Sequence, residues 1–199
     1  ILVKLKLKLP GLKIMNDQVF LGLGSNLDDR LSHLLFGIDQ LSNAKGIQVI
    51  NISSVYISEP KYLQDQNDFL NMVIHIETEY SGQELLKIIK NIEYNAGRDF
   101  NIERNGPRKL DIDILSFQHS TISTNELQIP HPRIAERKFV LIPWSEISPQ
   151  FILPGGDITI ESLKENGYYI GKIDNYICEN IINKLKSLNF KERKTNKIV

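Results

Sequence analysis

The stretch "RKLDIDIL" (108–115) sets two carboxylates, Asp111 and Asp113, two positions apart inside an apolar run. Leu110, Ile112 and Ile114 have the spacing of a buried strand face. Asp111 and Asp113 then share the other face, because side chains alternate along a strand. Adjacent carboxylates repel unless a positive charge lies between them. An exposed polar face of an amphipathic strand is one account of the pair. Against it, Asp is disfavoured in strands, and Arg98, Arg104, Arg108 and Lys109 flank it. The turn "NGPR" (105–108) aims its arginine at the start of the same strand. Paired aspartates with nearby arginines suit Mg2+ bridging phosphate oxygens, with hard oxygen ligands for the metal and guanidinium forks for the phosphates. The expectation is one or two Mg2+ ions brought with a nucleotide.

Three further stretches carry chemistry-bearing side chains. In "PHPR" (130–133), two prolines hold His131 rigidly, and Arg133 and Arg137 lie close in sequence. His131 is either structural or a phosphate contact. Phe69 and Asn71, two apart in "DFLNMV", share one face of a strand. Either Phe69 belongs to the core, or it stacks on a flat ring while the amide reads the ring's edge with its donor and acceptor together. "GLGSN" (22–26) reads as a glycine turn between strand and helix. It is not a P-loop, and with Leu at position 27 it is not G-x-G-x-x-G either.

The elements that must position these residues follow from periodicity. Residues 18–26 read as a strand ending in the glycine turn. Leu31, Leu34, Leu35, Ile38 and Leu41 recur at helical spacing and predict a helix over 28–43. Strands follow at 47–57 and 68–80, separated by a polar, proline-containing loop at 58–67. Ser81, with Glu84 three residues on, predicts a capping box and a helix to about Gly97 that turns Leu85, Leu86, Ile88, Ile89 and Ile92 to the core. Residues 97–107 form a charged, mobile loop, and 109–117 the aspartate strand. This β-α-β-β-α-β order is the ferredoxin-like plan of an α+β fold. Its antiparallel sheet carries helices packed on one face, an α-β sandwich, and leaves the other face free for a ligand. A last amphipathic helix is expected at 174–190.

Composition narrows the function. Residues 1–14 carry four lysines and no acid, and 184–199 carry six Lys/Arg and one Glu. The remaining 14 basic and 23 acidic residues give 15–183 a net charge of −9. So acidic a body disfavours nucleic acid, and a polyphosphate would need metal ions and a local arginine cluster. An RNA-recognition domain shares the strand-helix plan, and "VFLGLG" is superficially similar to one of its sheet motifs. "DFLNMVIHIE" has no match to the other. A nucleotidyltransferase would place its acid pair close behind the Gly-Ser turn, whereas Ser25 and Asp111 are 86 positions apart. The single cysteine, Cys178, excludes an internal disulfide framework and fits a cytoplasmic protein. The apolar runs are too short for a membrane span. Residues 15–173 are expected to be one domain, with 1–14 an added extension and 174–199 a basic helical one.

The stretches "LGLGSN", "SEPKYLQDQNDFLN", "IERNGPRKLDIDIL" and "PHPRIAERKFVLIPWSEISP", in this order over roughly residues 18–150, resemble the 6-hydroxymethyl-7,8-dihydropterin pyrophosphokinase family of folate biosynthesis. The resemblance implies a ferredoxin-like fold and transfer of pyrophosphate from ATP to 6-hydroxymethyl-7,8-dihydropterin, with release of AMP. It makes Asp111 and Asp113 the ligands of two Mg2+ ions. Phe69 and Phe139 would sandwich the pterin, Asn71 would read it, and Ser58 with the backbone of Pro60 and Lys61 would touch its edge. Glu93, Arg108, His131 and Arg137 would serve the nucleotide, and the backbone at Ile114 would meet the adenine. Arg98 would act from the mobile loop, which makes Arg98 and Arg108 the catalytic arginines beside the aspartates. The implied partners are the two small-molecule substrates, a monomer in the cytoplasm, and association with neighbouring folate-pathway enzymes. Phe100, Asn105 and Pro132 differ from residues found in some members: an arginine, an aromatic and a tyrosine.

Overall fold

The computed structural model describes residues 18–166 apart from 62, 64, 99–105 and 119. The expected terminal extensions and the 174–190 helix lie outside the described residues. So do Phe100, Arg104 and Asn105 of the charged loop.

Four strands form an antiparallel sheet in the order β2 (Ile47–Ile52), β4 (Phe69–Thr78), β1 (Val19–Ser25), β5 (Asp111–Phe117), and a short β3 (Tyr56–Ser58) continues beside β4. The alternation of β1 sends Val19, Leu21 and Leu23 to one face, with at most 2% exposure. There they meet α1 (Arg30–Asn43) and α2 (Gly82–Asn95). Asp29 caps α1 by accepting from Ser32 N at 3.1 Å. The expected capping box of α2 is present, with Ser81 N donating to Glu84 Oε2 at 2.8 Å and Glu84 N donating back to Ser81 Oγ at 3.4 Å. Leu34, Ile38 and Leu41 of α1 and Leu85, Ile89 and Ile92 of α2 complete this core.

Three expectations are corrected. First, the glycines of "GLGSN" do not form a turn. β1 runs through both, with Gly22 paired to Val73 and Asp113, and Gly24 to Asn71 and Asp111. A central strand pairs on both sides, and the ladder overrides the turn preference of glycine. Second, 47–57 is not one strand. At Ser53 the side chain enters the ladder, its Oγ accepting from Val73 N at 2.9 Å while Ser53 N donates to Val73 O at 2.9 Å. The chain bends there, and β3 resumes pairing with β4 as Tyr56 opposite Asn71.

Third, helices are not confined to one face. α3 (Lys138–Ile147) and α4 (Ile160–Asn166) lie on the opposite side, where Val140, Leu141, Trp144, Phe151 and Ile160 cover Phe20, Val73 and Leu115. Those three sheet residues are large and apolar, so that end of the face needed cover. The Phe20 ring lies 4.9 Å from Trp144 and 4.8 Å from Phe151. The face stays open where β1 carries glycine. A register shift places Leu21 opposite Ile114 but Phe20 opposite Ser116, leaving Leu115 as the extra residue of a β-bulge. Leu115 keeps the alternation and stands with Asp111 and Asp113 on the α3 side, while past the bulge the phase reverses and Phe117 turns back into the helix-side core. Among the described residues no helix is long and apolar enough to cross a membrane.

Candidate active site

A cavity opens on the uncovered part of this face. Gly22 and Gly24 form its floor, Asp111, Asp113 and Arg108 one side, Asn71, Phe69 and Ser58 the other, and Phe139 and Arg137 the end nearest α3. Lys61 also lines it. Nine of the residues expected at the site thus share one cavity. Pro60 lies next to it, between Glu59 and Lys61, which do line it.

The aspartates stand as the strand alternation requires, and each is met by guanidinium. Arg98 Nη1 donates to Asp111 Oδ1 at 2.8 Å, Arg108 Nη1 to Asp111 Oδ2 at 3.1 Å, and Arg137 Nη1 to Asp113 Oδ2 at 3.3 Å. The turn closing α2 delivers Arg98. Gly97 has φ +83°, a conformation that favours glycine, and Arg98 N reaches back to Glu93 O at 3.0 Å. The Arg98 side chain then lies between Glu93 and Asp111, with Nη1 2.6 Å from Glu93 Oε1.

Glu93 itself is fully buried beneath β5, off the cavity wall. It accepts from Ile112 N at 2.8 Å and pairs with Lys90 at 2.9 Å. Burial, then the charge of Asp111, raises its carboxyl above the ordinary value despite Lys90. Because Ile112 turns its N–H away from β1 to meet Glu93, Ile114 shares that outward direction. The side chain of Ile114 is in the helix-side core, so its backbone is what faces the outer edge of β5, where His131 N donates to the next carbonyl, Leu115 O, at 3.0 Å.

The two aspartates are electrostatically unequal. Burial raises Asp111, but the guanidiniums of Arg108 and Arg98 outweigh it and hold the group below the usual carboxylate range. Asp113 is pushed up to about 6 by burial and then by the charge of Asp111, against the weaker pull of Arg137. His131 is pushed down to about 4 by burial and by the charges of Arg137 and Arg133. Its Nδ1 lies 3.3 Å from Arg133 N and its Nε2 3.4 Å from Arg137 Nη1. The positive charges of Arg137 and Arg133 flank the ring, and Arg137 Nε is buried without an acceptor among the described residues. Such a cluster suits an anion.

No group of three or more His, Cys, Asp or Glu among the described residues could hold an ion. Asp111 and Asp113, both on the cavity wall, offer the hard oxygen donors that Mg2+ takes, and such an ion would need its remaining oxygens from phosphate and water.

Three contributors carried no decisive signal in the sequence. Asn26, fully buried, joins the start of the Arg108 segment to Gln66 and Asn67. Gln66 lines the cavity. Glu146 on α3 accepts from Ser54 N (2.8 Å), Ser54 Oγ (2.9 Å) and Tyr56 Oη (3.0 Å), fixing the helix that bears Phe139 against the strand that bears Ser58. Each works through a long-range contact. The signal for Gly24 was its place within an alternating run.

The chain is similar to known proteins in sequence and in fold. The sequence profile described as 7,8-dihydro-6-hydroxymethylpterin-pyrophosphokinase (HPPK) matches residues 20–149. The 2-amino-4-hydroxy-6-hydroxymethyldihydropteridine pyrophosphokinase of Bacillus subtilis is 40% identical over 136 residues, which cover 68% of this chain and 81% of that protein. Folic acid synthesis protein FOL1 of Dictyostelium discoideum is 39% identical over 178 residues, 85% of this chain but 27% of that longer protein. A crystal structure of Plasmodium falciparum HPPK-DHPS with pteroate superposes with a TM-score of 0.60 at 17% identity, over 75% of this chain and 42% of that one, a likeness of fold. The profile spans well over half of the chain and the Bacillus protein is matched over most of its length, so the chain belongs to the 7,8-dihydro-6-hydroxymethylpterin-pyrophosphokinase family.

Proposed function

We propose that this chain transfers the pyrophosphoryl group of ATP to 6-hydroxymethyl-7,8-dihydropterin, with the pterin on the Asn71 side of the cavity and the triphosphate on the Asp111 side. The observation that carries this division is the register: Asn71 and Asp111 flank Gly24 on a common face. The pterin's primary hydroxyl oxygen bonds to the β-phosphorus, and the bond from that phosphorus to the oxygen bridging to the α-phosphate breaks. AMP leaves with that oxygen, and the hydroxyl proton passes to solvent.

Chemistry of this kind asks mainly for positioning and charge neutralisation. Phe69 and Phe139 would stack on the pterin, Asn71 would read its edge, and Ser58, which accepts from Asn71 Nδ2 at 2.9 Å, would hold the amide in orientation. Pro60 and Lys61 would close the pterin's edge. Arg108, Arg137 and His131 would take phosphate oxygens, and the backbone at Ile114 would meet the adenine. Glu93 supports the reading indirectly, by holding Arg98 and Ile112 in place. Bound on Asp111 and Asp113, Mg2+ would neutralise the triphosphate and polarise the attacking hydroxyl. Arg98, at the root of the 97–107 loop, would swing between Asp111 and the nucleotide.

The sheet order, with α1 and α2 together on one face, supports the ferredoxin-like plan, and we take 15–173 as its single domain. The single cysteine supports a cytoplasmic setting. The HPPK-DHPS name of the Plasmodium protein supports association with a neighbouring folate-pathway enzyme.

The test mixes the protein with ATP, Mg2+ and 6-hydroxymethyl-7,8-dihydropterin and separates the nucleotides. AMP is expected when pterin and Mg2+ are both present. ADP, or AMP without the pterin, would refute the reaction.

A further inference from the structure

Glycine in a central strand is unfavourable by about 0.5–1 kcal/mol relative to alanine, so Gly24 needs a reason. The ordinary ones fail. Its φ is not positive, unlike those of Gly46, Gly97 and Gly155. It makes no turn, being paired to Asn71 on one side and Asp111 on the other. No neighbour forbids a side chain: a Cβ there would lie 3.6 Å from Asn71 Oδ1 and 3.8 Å from Phe69 Cδ1, ordinary contact distances. Gly22 differs, since its Cβ would press to 3.3 Å on Leu115 Cδ2, and packing accounts for part of its absence. The fold has room for alanine at 24, and its methyl would project into the cavity that Gly24 lines. A bare strand position facing a cavity marks close approach by a ligand.

The register says which part of the ligand. Neighbouring strands lie about 4.8 Å apart, so Asn71 and Asp111 stand about 10 Å from each other across Gly24, their side chains on one face. Under the function proposed above, on which this inference rests, one belongs to the pterin and the other to the triphosphate. We propose that Gly24 is the substrate-contacting residue beneath the reacting centre, where the hydroxymethyl group meets the β-phosphate. Its missing side chain lets the two substrates close to attack distance. Reacting atoms must approach to about 3–3.5 Å. A methyl carbon projecting about 1.5 Å from this floor would hold them apart while leaving each free to bind alone.

The test is Gly24→Ala, read by thermal melting, by binding of ATP with Mg2+ and of the pterin separately, and by turnover. The expected variant melts no lower than wild type and binds each substrate alone within about threefold of it. Its kcat falls about 10²-fold, the scale of a 1 Å misplacement. A variant that turns over like wild type overturns the inference and leaves the reaction standing. A variant that melts markedly lower, or whose rate loss is matched by weaker binding of one substrate alone, overturns it too, since the glycine then serves the fold or one subsite. A folded wild type that makes no AMP removes the reaction, and this inference with it.

Discussion

Asn26 and Arg108 are bonded to each other twice: Asn26 N donates to Arg108 O at 3.1 Å, and Arg108 N donates to Asn26 Oδ1 at 2.8 Å. The amide nitrogen of the same side chain donates to Gln66 Oε1 at 2.9 Å and Asn67 O at 3.3 Å. One buried residue therefore fixes both the backbone from which Arg108 projects and the loop leading to Phe69. Asn26→Ala leaves the Arg108 N–H without its acceptor, a loss of roughly 1–3 kcal/mol, and both KM values rise with it. Asn26→Asp keeps that acceptor and loses the donor to the loop, so the KM for the pterin rises more than that for ATP. Calorimetry with steady-state kinetics checks both, and an Asn26→Ala enzyme in which one KM alone moves would refute the dual role.

The aspartates should separate metal from nucleotide. Asp111→Asn and Asp113→Asn each lower Mg2+-dependent turnover by about 10³-fold, reflecting the several kcal/mol a bound cation contributes. Asp111→Asn also releases Arg98 and Arg108, which both bind that carboxylate. ATP binding measured without Mg2+ is therefore expected to be unchanged or tighter. Weaker metal-free ATP binding would show that Asp111 itself contacts the nucleotide.

The Asp113 carboxyl, pushed up to about 6, gives a pH dependence with a definite sign. The folded state holds this proton more tightly than the unfolded chain, so the group favours the folded state at low pH. That contribution fades as pH rises from the unfolded value, about 3.9, through 6. Metal binding runs the other way, because it needs the carboxylate: affinity for ATP with Mg2+ falls as pH drops below about 6. Asp111 stays ionised through this range, being held below its usual value. Titration calorimetry across pH 5 to 8, set against Asp113→Asn, reads the step directly. Its persistence in Asp113→Asn would assign it to another group.

Glu146 is expected to matter at a distance. Glu146→Ala removes three hydrogen bonds that hold α3 to Ser54 and Tyr56. About 1–2 kcal/mol of stability goes with them, a few degrees in Tm for a chain of this size. The spacing of Phe139 from Ser58 loosens too. Pterin affinity falls while metal-free ATP binding holds. Equal losses for both substrates would mean a general loosening of the fold.

Local pattern was enough for the parts of the fold that local forces control. The helix-side core could be read because Leu34, Ile38, Leu41, Leu85, Ile89 and Ile92 repeat at helical spacing. The capping box was visible because Ser81 and Glu84 meet within one turn. Asp111 and Asp113 share a face because a strand alternates. What stayed hidden depends on distant partners. The glycines of β1 look like a turn until Val73, Asn71, Asp111 and Asp113 pair with them. Glu146 is an ordinary surface acid until Ser54, 92 positions away, folds against it. α3 carries few polar interruptions, so its face toward Phe20 and Val73 did not stand out as periodic.

Each carboxylate on or beneath β5 already has its counter-ion: Arg98 and Arg108 for Asp111, Arg137 for Asp113, Lys90 and Arg98 for Glu93. These ion pairs are in place before any metal arrives, so chelators are expected to leave the melting curve where it is. Under the proposed function, substrate entry would be an exchange of partners, in which the arginines would turn to the phosphates and the aspartates would hold the incoming Mg2+. The cation would then be a passenger of the nucleotide and not a tenant of the protein.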